Sequence, residues 1–313
     1  MAFNDGNGFN DGFENVYSNK PLNNGLEIMT NKTELIFNES EMADDSMKTE
    51  IYIDDLPVSV AMASVIGKRP SQQDSVIIPD YKHMTLNDKT KFICILSDGM
   101  GGLSGGEIAS KTVTQNMYKD YYAKVWSKEN PSYFEFLSTE ANIVNDKVLE
   151  LTDENGNPLN AGATVVAVII DGYNMHFLNI GDSRIYIIRD GSIYQITHDQ
   201  NYLSVLMEKV RNDEITLEEA EAHPKKEALV SYCGIKDLRI KEINIKPVKM
   251  NPGDSILLCS DGLYRVLSDS EICDIVSTTK GDTNIAAYKL TAAAMAKNYR
   301  GQDNTSVILI NFI

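Results

Sequence analysis

The sequence predicts an α+β fold: a central sandwich of two mostly antiparallel sheets flanked by pairs of helices, the four-layer αββα arrangement. Three observations carry this expectation. Short apolar segments follow one another after residue 160 with tight turns between them, which makes neighbouring strands antiparallel. Two uninterrupted apolar runs, Phe92-Ile93-Cys94-Ile95-Leu96 and Ser255-Ile256-Leu257-Leu258-Cys259, read as central strands. Helical periodicity comes in pairs, before and after the strand-rich middle.

Residues 1–55 stand apart. Phe3-Asn4-Asp5-Gly6 recurs as Phe9-Asn10-Asp11-Gly12, and the segment is rich in Asn, Gly, Asp and Glu. With few apolar residues to bury, it reads as an acidic low-complexity tail without stable order. It reads first as a solubilising extension, with a docking or regulatory segment as the alternative. A globular pattern begins at residue 56. Val58-Ser59-Val60-Ala61-Met62-Ala63 alternates as a half-buried strand does. After the apolar run at 92–96, Ala109, Val113 and Met117 recur every four residues, and a second helix is expected over 132–151. Strands are expected at 163–170, 174–180, 184–189 and 192–196, with Asp171-Gly172 and Asp190-Gly191 as hairpin turns. Residues 201–234 are polar and helix-prone and read as a surface insertion. Strands resume at 238–245 and 255–259. Ser268 and Asp282 then stand where the N-caps of two further helices belong, and 306–312 forms a final strand.

Bulk properties exclude several functions. The chain of 313 residues carries 29 Lys and Arg against 45 Asp and Glu, a net charge of −16, which repels nucleic acid and anionic lipid. No apolar run approaches the roughly 20 residues needed to span a bilayer. The opening residues lack the basic region and apolar core of a secretory signal. The four cysteines form no C-x-x-C pair, so buried thiols in a reducing cytoplasm are expected.

One motif repeats far apart. Each of the two central apolar runs ends in Ser-Asp-Gly, at Asp98 and at Asp261. Asp-Gly is a common turn dipeptide, and in the tail and the hairpins it is read as a turn. A carboxylate that ends a buried strand is costly unless it is paired or binds a metal. Asp74, just before Val76-Ile77-Ile78, and Asp303, just before the last strand, bring the set to four aspartates at strand edges. No histidine or cysteine accompanies them at ligand spacing. An all-oxygen set suits Mg²⁺ or Mn²⁺ rather than zinc.

With these motifs in order, residues 57–313 resemble the PPM-type (type 2C) metal-dependent serine/threonine protein phosphatases, in their bacterial form. The matching pieces are Gly67-Lys68-Arg69-Pro70-Ser71-Gln72-Gln73-Asp74, Ser97-Asp98-Gly99-Met100-Gly101-Gly102 with Gly105-Gly106-Glu107-Ile108-Ala109-Ser110, Gly162-Ala163-Thr164, Asn179-Ile180-Gly181-Asp182-Ser183-Arg184, Ser260-Asp261-Gly262 and Asp303-Asn304. The resemblance implies hydrolysis of phosphoserine and phosphothreonine by a water bridging two Mg²⁺ or Mn²⁺ ions. It implies that Asp74, Asp98, the Gly99 carbonyl, Asp261 and Asp303 hold those ions, and that Asp182 joins Asp261 at a third, weaker site. Arg69 would bind the substrate phosphate, 201–234 would be a flap beside the active site, and Asn304 would support its loop. The partners implied are phosphorylated proteins, targets of a bacterial serine/threonine kinase, acted on by a monomer in the cytoplasm.

Three departures from the family pattern stand out. Gln72-Gln73-Asp74 replaces Asn-Glu-Asp, so Gln73 brings no charge to the water shell of the metals. Met100 stands where animal members carry a histidine proposed as general acid. Thr197-His198-Asp199-Gln200 and Lys226-Glu227 differ from the usual residues before and within the flap. Loss of the glutamate also leaves open a pseudophosphatase that binds phosphoproteins without hydrolysing them. Among the other conspicuous residues, Arg184 is expected in a structural ion pair, His198 and His223 as hydrogen-bonded loop residues, and Trp126 in helix packing.

Overall fold

The computed structural model describes residues 58–79, 91–101 and 105–313. The tail expected at 1–55 lies outside the described residues. The strands in chain order are β1 (Val58–Val65), β2 (Asp74–Ile77), β3 (Lys91–Gly101), β4 (Ala161–Ala163), β5 (Val165–Asp171), β6 (Asn174–Ile180), β7 (Arg184–Arg189), β8 (Ser192–Gln195), β9 (Glu242–Ile243), β10 (Val248–Lys249), β11 (Ser255–Cys259) and β12 (Thr305–Phe312). The helices are α1 (Gly105–Lys124), α2 (Tyr133–Leu149), α3 (Tyr202–Arg211), α4 (Leu217–Glu221), α5 (Asp261–Tyr264), α6 (Asp269–Thr278) and α7 (Thr283–Ala296).

One sheet runs β1-β12-β11-β7-β8 and the other β10-β6-β5-β3-β2, with β4 beside β3 and β9 beside β6. Every pairing in both is antiparallel. The strands are apolar on both faces because both faces are covered. On β3, Phe92, Cys94 and Leu96 meet Ile256, Leu258, Ile308 and Ile310 between the sheets, while Ile93 and Ile95 point at Met117, Tyr121 and Leu137 of α1 and α2. On β12, Ile308, Ile310 and Phe312 face inward, and Val307 and Leu309 meet Ile272, Ala286 and Leu290 of α6 and α7. The period-2 alternation of a strand thus divides its side chains between two apolar layers. β1 follows the same rule rather than the half-solvated face expected: Val58 and Val60 fill the sandwich, and Ala61 and Ala63 pack under the helices.

The expected caps form. Ser268 and Glu271 make a reciprocal capping box at α6, and the Asp282 side chain accepts from the Ile285 amide at α7. Trp126 packs beyond the end of α1 against Tyr122, and all four cysteines are buried free thiols. The region 201–234 contains α3 and α4. No helix among the described residues is long and apolar enough to cross a membrane.

Several local expectations need correction. The strand expected over 163–170 is two, β4 and β5, interrupted at Thr164. That residue gives its amide to the Asp98 carbonyl (2.8 Å) and accepts the Asp98 amide on its hydroxyl (3.0 Å). The strand expected over 238–245 shrinks to β9. The Asn244 side chain takes over the pairing by accepting from the Phe177 amide (2.6 Å) and donating to the Met175 carbonyl (3.1 Å). β10 and the single-turn helix α5 were not anticipated, being too short to carry a periodic signal.

Leu258 is fully buried between the sheets, whereas Tyr194 on β8 is 54% exposed. Leu258→Ala is therefore expected to cost about 2–5 kcal/mol in urea unfolding, and Tyr194→Ala less than about 0.5 kcal/mol. Equal effects would contradict the layered packing.

Candidate active site

Antiparallel pairing sets Asp74 of β2 directly opposite Asp98 of β3. β3 continues past Asp98 to Gly101, so this carboxylate lies within a strand rather than at its end as expected. From the other sheet, β11 ends at Cys259 and Ser260 turns the chain into α5, whose first residue is Asp261. Asp303 stands two residues before β12 of the same sheet, and Asp182 sits in the turn between β6 and β7. Asp98, Asp182, Asp261 and Asp303 line one cleft together with Arg69, Gln73, Gly99, Met100, Gly101, Thr164, Glu227, Leu229 and Arg265. Asp74 lies beneath them, buried, its Oδ2 accepting from the Ser260 hydroxyl at 2.8 Å. Of the carboxylates expected to converge, Asp98, Asp182, Asp261 and Asp303 share the cleft and Asp74 is buried opposite Asp98.

The two Ser-Asp-Gly repeats acquire a physical reason. A Cβ on Gly99 would lie 2.0 Å from the Gly106 carbonyl oxygen, and one on Gly262 would lie 2.1 Å from that of Asn304. Each glycine therefore lets a neighbouring backbone press against the residue that follows an aspartate. Asn304 binds the loops together: its Oδ1 accepts from the Gln73 amide (2.8 Å), and its Nδ2 donates to the carbonyls of Ile66 (2.9 Å) and Ser71 (3.1 Å). This is the supporting role expected of it. It also brings Arg69 beside Asp303, to which the guanidinium is ion-paired. The Arg69 side chain remains 53% exposed at the mouth of the cleft.

Other residues fall as the sequence suggests. Arg184 makes a bidentate ion pair with Asp199 (2.9 and 2.7 Å) and lies over the Tyr264 ring. His198 pairs with Glu242 (3.0 Å), and His223 stacks on Tyr202; neither lines the cleft. Gln73 lines it and directs its side-chain amide toward the Gly101 carbonyl (3.5 Å).

Sequence reasoning missed Arg265. Its Nε lies 2.9 Å from Asp261 Oδ2, its Nη2 3.5 Å from Asp182 Oδ2 and its Nη1 2.8 Å from Glu227 Oε2. The available signal was the carboxylate–arginine spacing of four residues from Asp261, a helical pairing. It went unread because α5 is a single turn.

The crowding has an electrostatic cost. Burial first, then the charges of Asp74, Asp261, Asp182 and Asp303, raise the Asp98 carboxyl well above its ordinary range. Burial pushes Asp74 up to about 7, against the pull of hydrogen bonds from Ser306 and Ser260. Asp182 is raised to about 7 by burial and by Asp261, partly offset by Arg265. Burial raises Asp261 to about 6, with Arg265 opposing and Asp303 reinforcing the shift. Buried Asp74 Oδ1 and Asp261 Oδ1 have no hydrogen-bond partner among the described residues. Oxygen donors that repel one another, two of them unsatisfied, fit hard divalent cations. Among the described residues no three His, Cys, Asp or Glu side chains are already closed into a ligand group. Instead Arg69 and Arg265 hold Asp303, Asp261 and Asp182, and ion binding would have to draw these carboxylates inward.

The raised carboxyls fix a pH dependence for chelator-treated protein. The folded state binds their protons more tightly than the unfolded chain, whose aspartates titrate near 3.9. The stability they contribute is complete below about pH 4 and is lost as pH rises through about 7, where Asp74 and Asp182 ionise. The urea midpoint should fall across that window, and Asp74→Asn should flatten the fall. A variant with the wild-type slope would refute the assignment.

Comparison with known proteins agrees with this geometry. The Protein phosphatase 2C family profile matches residues 70–294. The chain is 32% identical over 262 residues to protein phosphatase PhpP of Streptococcus pneumoniae, covering 81% of this chain and 97% of that protein. It is 29% identical over 227 residues to the serine/threonine phosphatase stp of Listeria welshimeri, covering 72% and 86%. The solved serine/threonine phosphatase of S. agalactiae superposes with a TM-score of 0.68 at 27% identity, covering 82% of this chain and all of that one. The chain belongs to the protein phosphatase 2C family, the PPM-type serine/threonine phosphatases.

Proposed function

We propose that the chain hydrolyses phosphoserine and phosphothreonine in proteins with the help of two Mg²⁺ or Mn²⁺ ions. The observation that carries this reading is the convergence of Asp98, Asp261 and Asp303, drawn from both sheets, on one cleft with an exposed arginine at its mouth and with Asp74 buried beside Asp98. These four carboxylates and the Gly99 carbonyl would hold the ions. When bound, the ions would supply charge that acidifies water and offsets charge on the phosphoryl oxygens.

The remaining work falls to the chain's own groups. Arg69 releases Asp303 and grips two phosphate oxygens in its planar fork, orienting phosphorus over the carboxylates. Ser260 fixes the rotamer of Asp74, and Thr164 holds both the backbone amide and the backbone carbonyl of Asp98. These carboxylates are thus preorganised, so little reorganisation accompanies charge development in the transition state. Met100 offers no proton, and no histidine lines the cleft among the described residues, so the departing serine or threonine oxygen is protonated from solvent. Residues 201–234 serve as the flap, placing Glu227 and Leu229 on the cleft wall where the peptide around the phosphate would lie. Phosphoproteins made by a serine/threonine kinase are the substrates this reading implies.

Hydrolysis of a phosphothreonine peptide with Mn²⁺ tests it. Asp261→Asn should fall to the buffer background, and wild-type rates in that variant would reject the reading. Arg69→Ala should lose about 10–100-fold in kcat/KM, the worth of a charge-assisted hydrogen-bond pair. Gln73 favours one alternative, a phosphoprotein-binding module without turnover. Calorimetry separates them: Mn²⁺ uptake at millimolar concentration supports the enzyme, and no uptake supports the module. Gln73→Glu should tighten Mn²⁺ binding about tenfold by restoring charge to the outer shell, and unchanged affinity would remove Gln73 from the account.

A further inference from the structure

The Arg265 guanidinium gathers three carboxylates from three separate parts of the chain. Asp261 opens α5, Asp182 comes from the β6–β7 turn, and Glu227 comes from the segment after α4. The guanidinium uses all its nitrogens in doing so: Nε toward Asp261 (2.9 Å), Nη1 toward Glu227 (2.8 Å) and Nη2 toward Asp182 (3.5 Å). Its base is held by the rest of α5. The Arg265 amide donates to the Asp261 carbonyl (3.1 Å), and the neighbouring Tyr264 hydroxyl donates to the Asp182 carbonyl (2.9 Å). Arg184 stacks on that same ring. Asp182 and Asp261 are nearly buried, while Glu227 is 63% exposed, so the arginine links the interior of the cleft to its rim.

We propose that Arg265 is a positioning residue, a fixed cation that occupies the place between Asp182 and Asp261 where a third divalent ion would sit, and that ties the flap to the metal centre through Glu227. This inference rests on the phosphatase reading. A planar cation with directed donors suits the task, because it offsets part of the charge of two buried carboxylates and still offers a nitrogen to a third partner. Lysine carries its three donors on one nitrogen, so it offsets the charge of the buried pair but does not span to Glu227 as well. The chain would then work with two exchangeable ions, and the flap segment would be held closer when Arg265 is in place than when it is neutral.

Two measurements test this on the full chain. In equilibrium dialysis at millimolar Mn²⁺, wild type should bind two ions, Arg265→Gln three, and Arg265→Lys two. Adding Asp182→Asn to Arg265→Gln should return the count to two. In hydrogen exchange, the amides of Lys226, Ala228 and Val230, which bond to His223, Lys225 and Gln200, should exchange several-fold faster in Arg265→Gln, Arg265→Lys and Glu227→Gln. Glu227→Gln should still bind two ions. A wild-type count of three, or an unchanged count in Arg265→Gln, overturns the cation assignment. Unchanged exchange in both Arg265→Lys and Glu227→Gln overturns the tether, even if Arg265→Gln does not fold. A wild-type count of zero would fall on the phosphatase reading instead, and the exchange data would still decide the tether.

Discussion

Desolvation of carboxylates crowded into one cleft, reinforced by their mutual repulsion, governs the design of this molecule. Asp74, Asp98, Asp182, Asp261 and Asp303 come from distant parts of the chain and feel one another's charge. A sandwich with an apolar interior gains nothing from such a cluster, since each ionised group loses hydration without gaining a full set of partners. The fold has to be stable enough elsewhere to carry it. The three apolar layers supply that stability, with strands apolar on both faces between two pairs of helices. Positive charge then decides which carboxylates ionise.

That charge comes from two kinds of source. Arginine guanidiniums already stand among the aspartates, Arg69 at the mouth and Arg265 deeper in the wall. Divalent ions are the other source in the proposed function. The two kinds of cation compete for the same oxygens, which gives the arginines roles beyond ion pairing. In the proposed function Arg69 exchanges a carboxylate for a phosphate. Arg265, paired with Glu227 as well as with Asp182 and Asp261, has less freedom to leave.

Much of the fold was legible because covered sheets leave a clear mark. The runs at 92–96 and 255–259 announce central strands, and the strands at 174–180 and 184–189 have the bounds expected from their turns. The helix caps at Ser268 and Asp282 were legible for the same local reason: a short polar side chain satisfies an amide that the helix leaves bare. What was not legible depended on partners remote in sequence. Thr164 breaks a strand because Asp98 lies beside it, and Asn244 ends one because its side chain bonds to β6.

Residue order alone was enough to single out Asp98 and Asp261, since an aspartate that follows an apolar run is costly without a compensating cation, and the motif resemblance supplied the rest of the candidate ligand set. It was enough for the family as well, through short motifs in a fixed order. Folding in three dimensions was needed to set Asp74 opposite Asp98 across a strand pair, to let Asn304 lock the loop carrying Arg69, and to lay Arg265 among Asp182, Asp261 and Glu227. A carboxylate's cost in an apolar strand is a local property that its immediate neighbours reveal. Its compensation comes from whichever cation the folded chain brings within reach, and no local pattern encodes that.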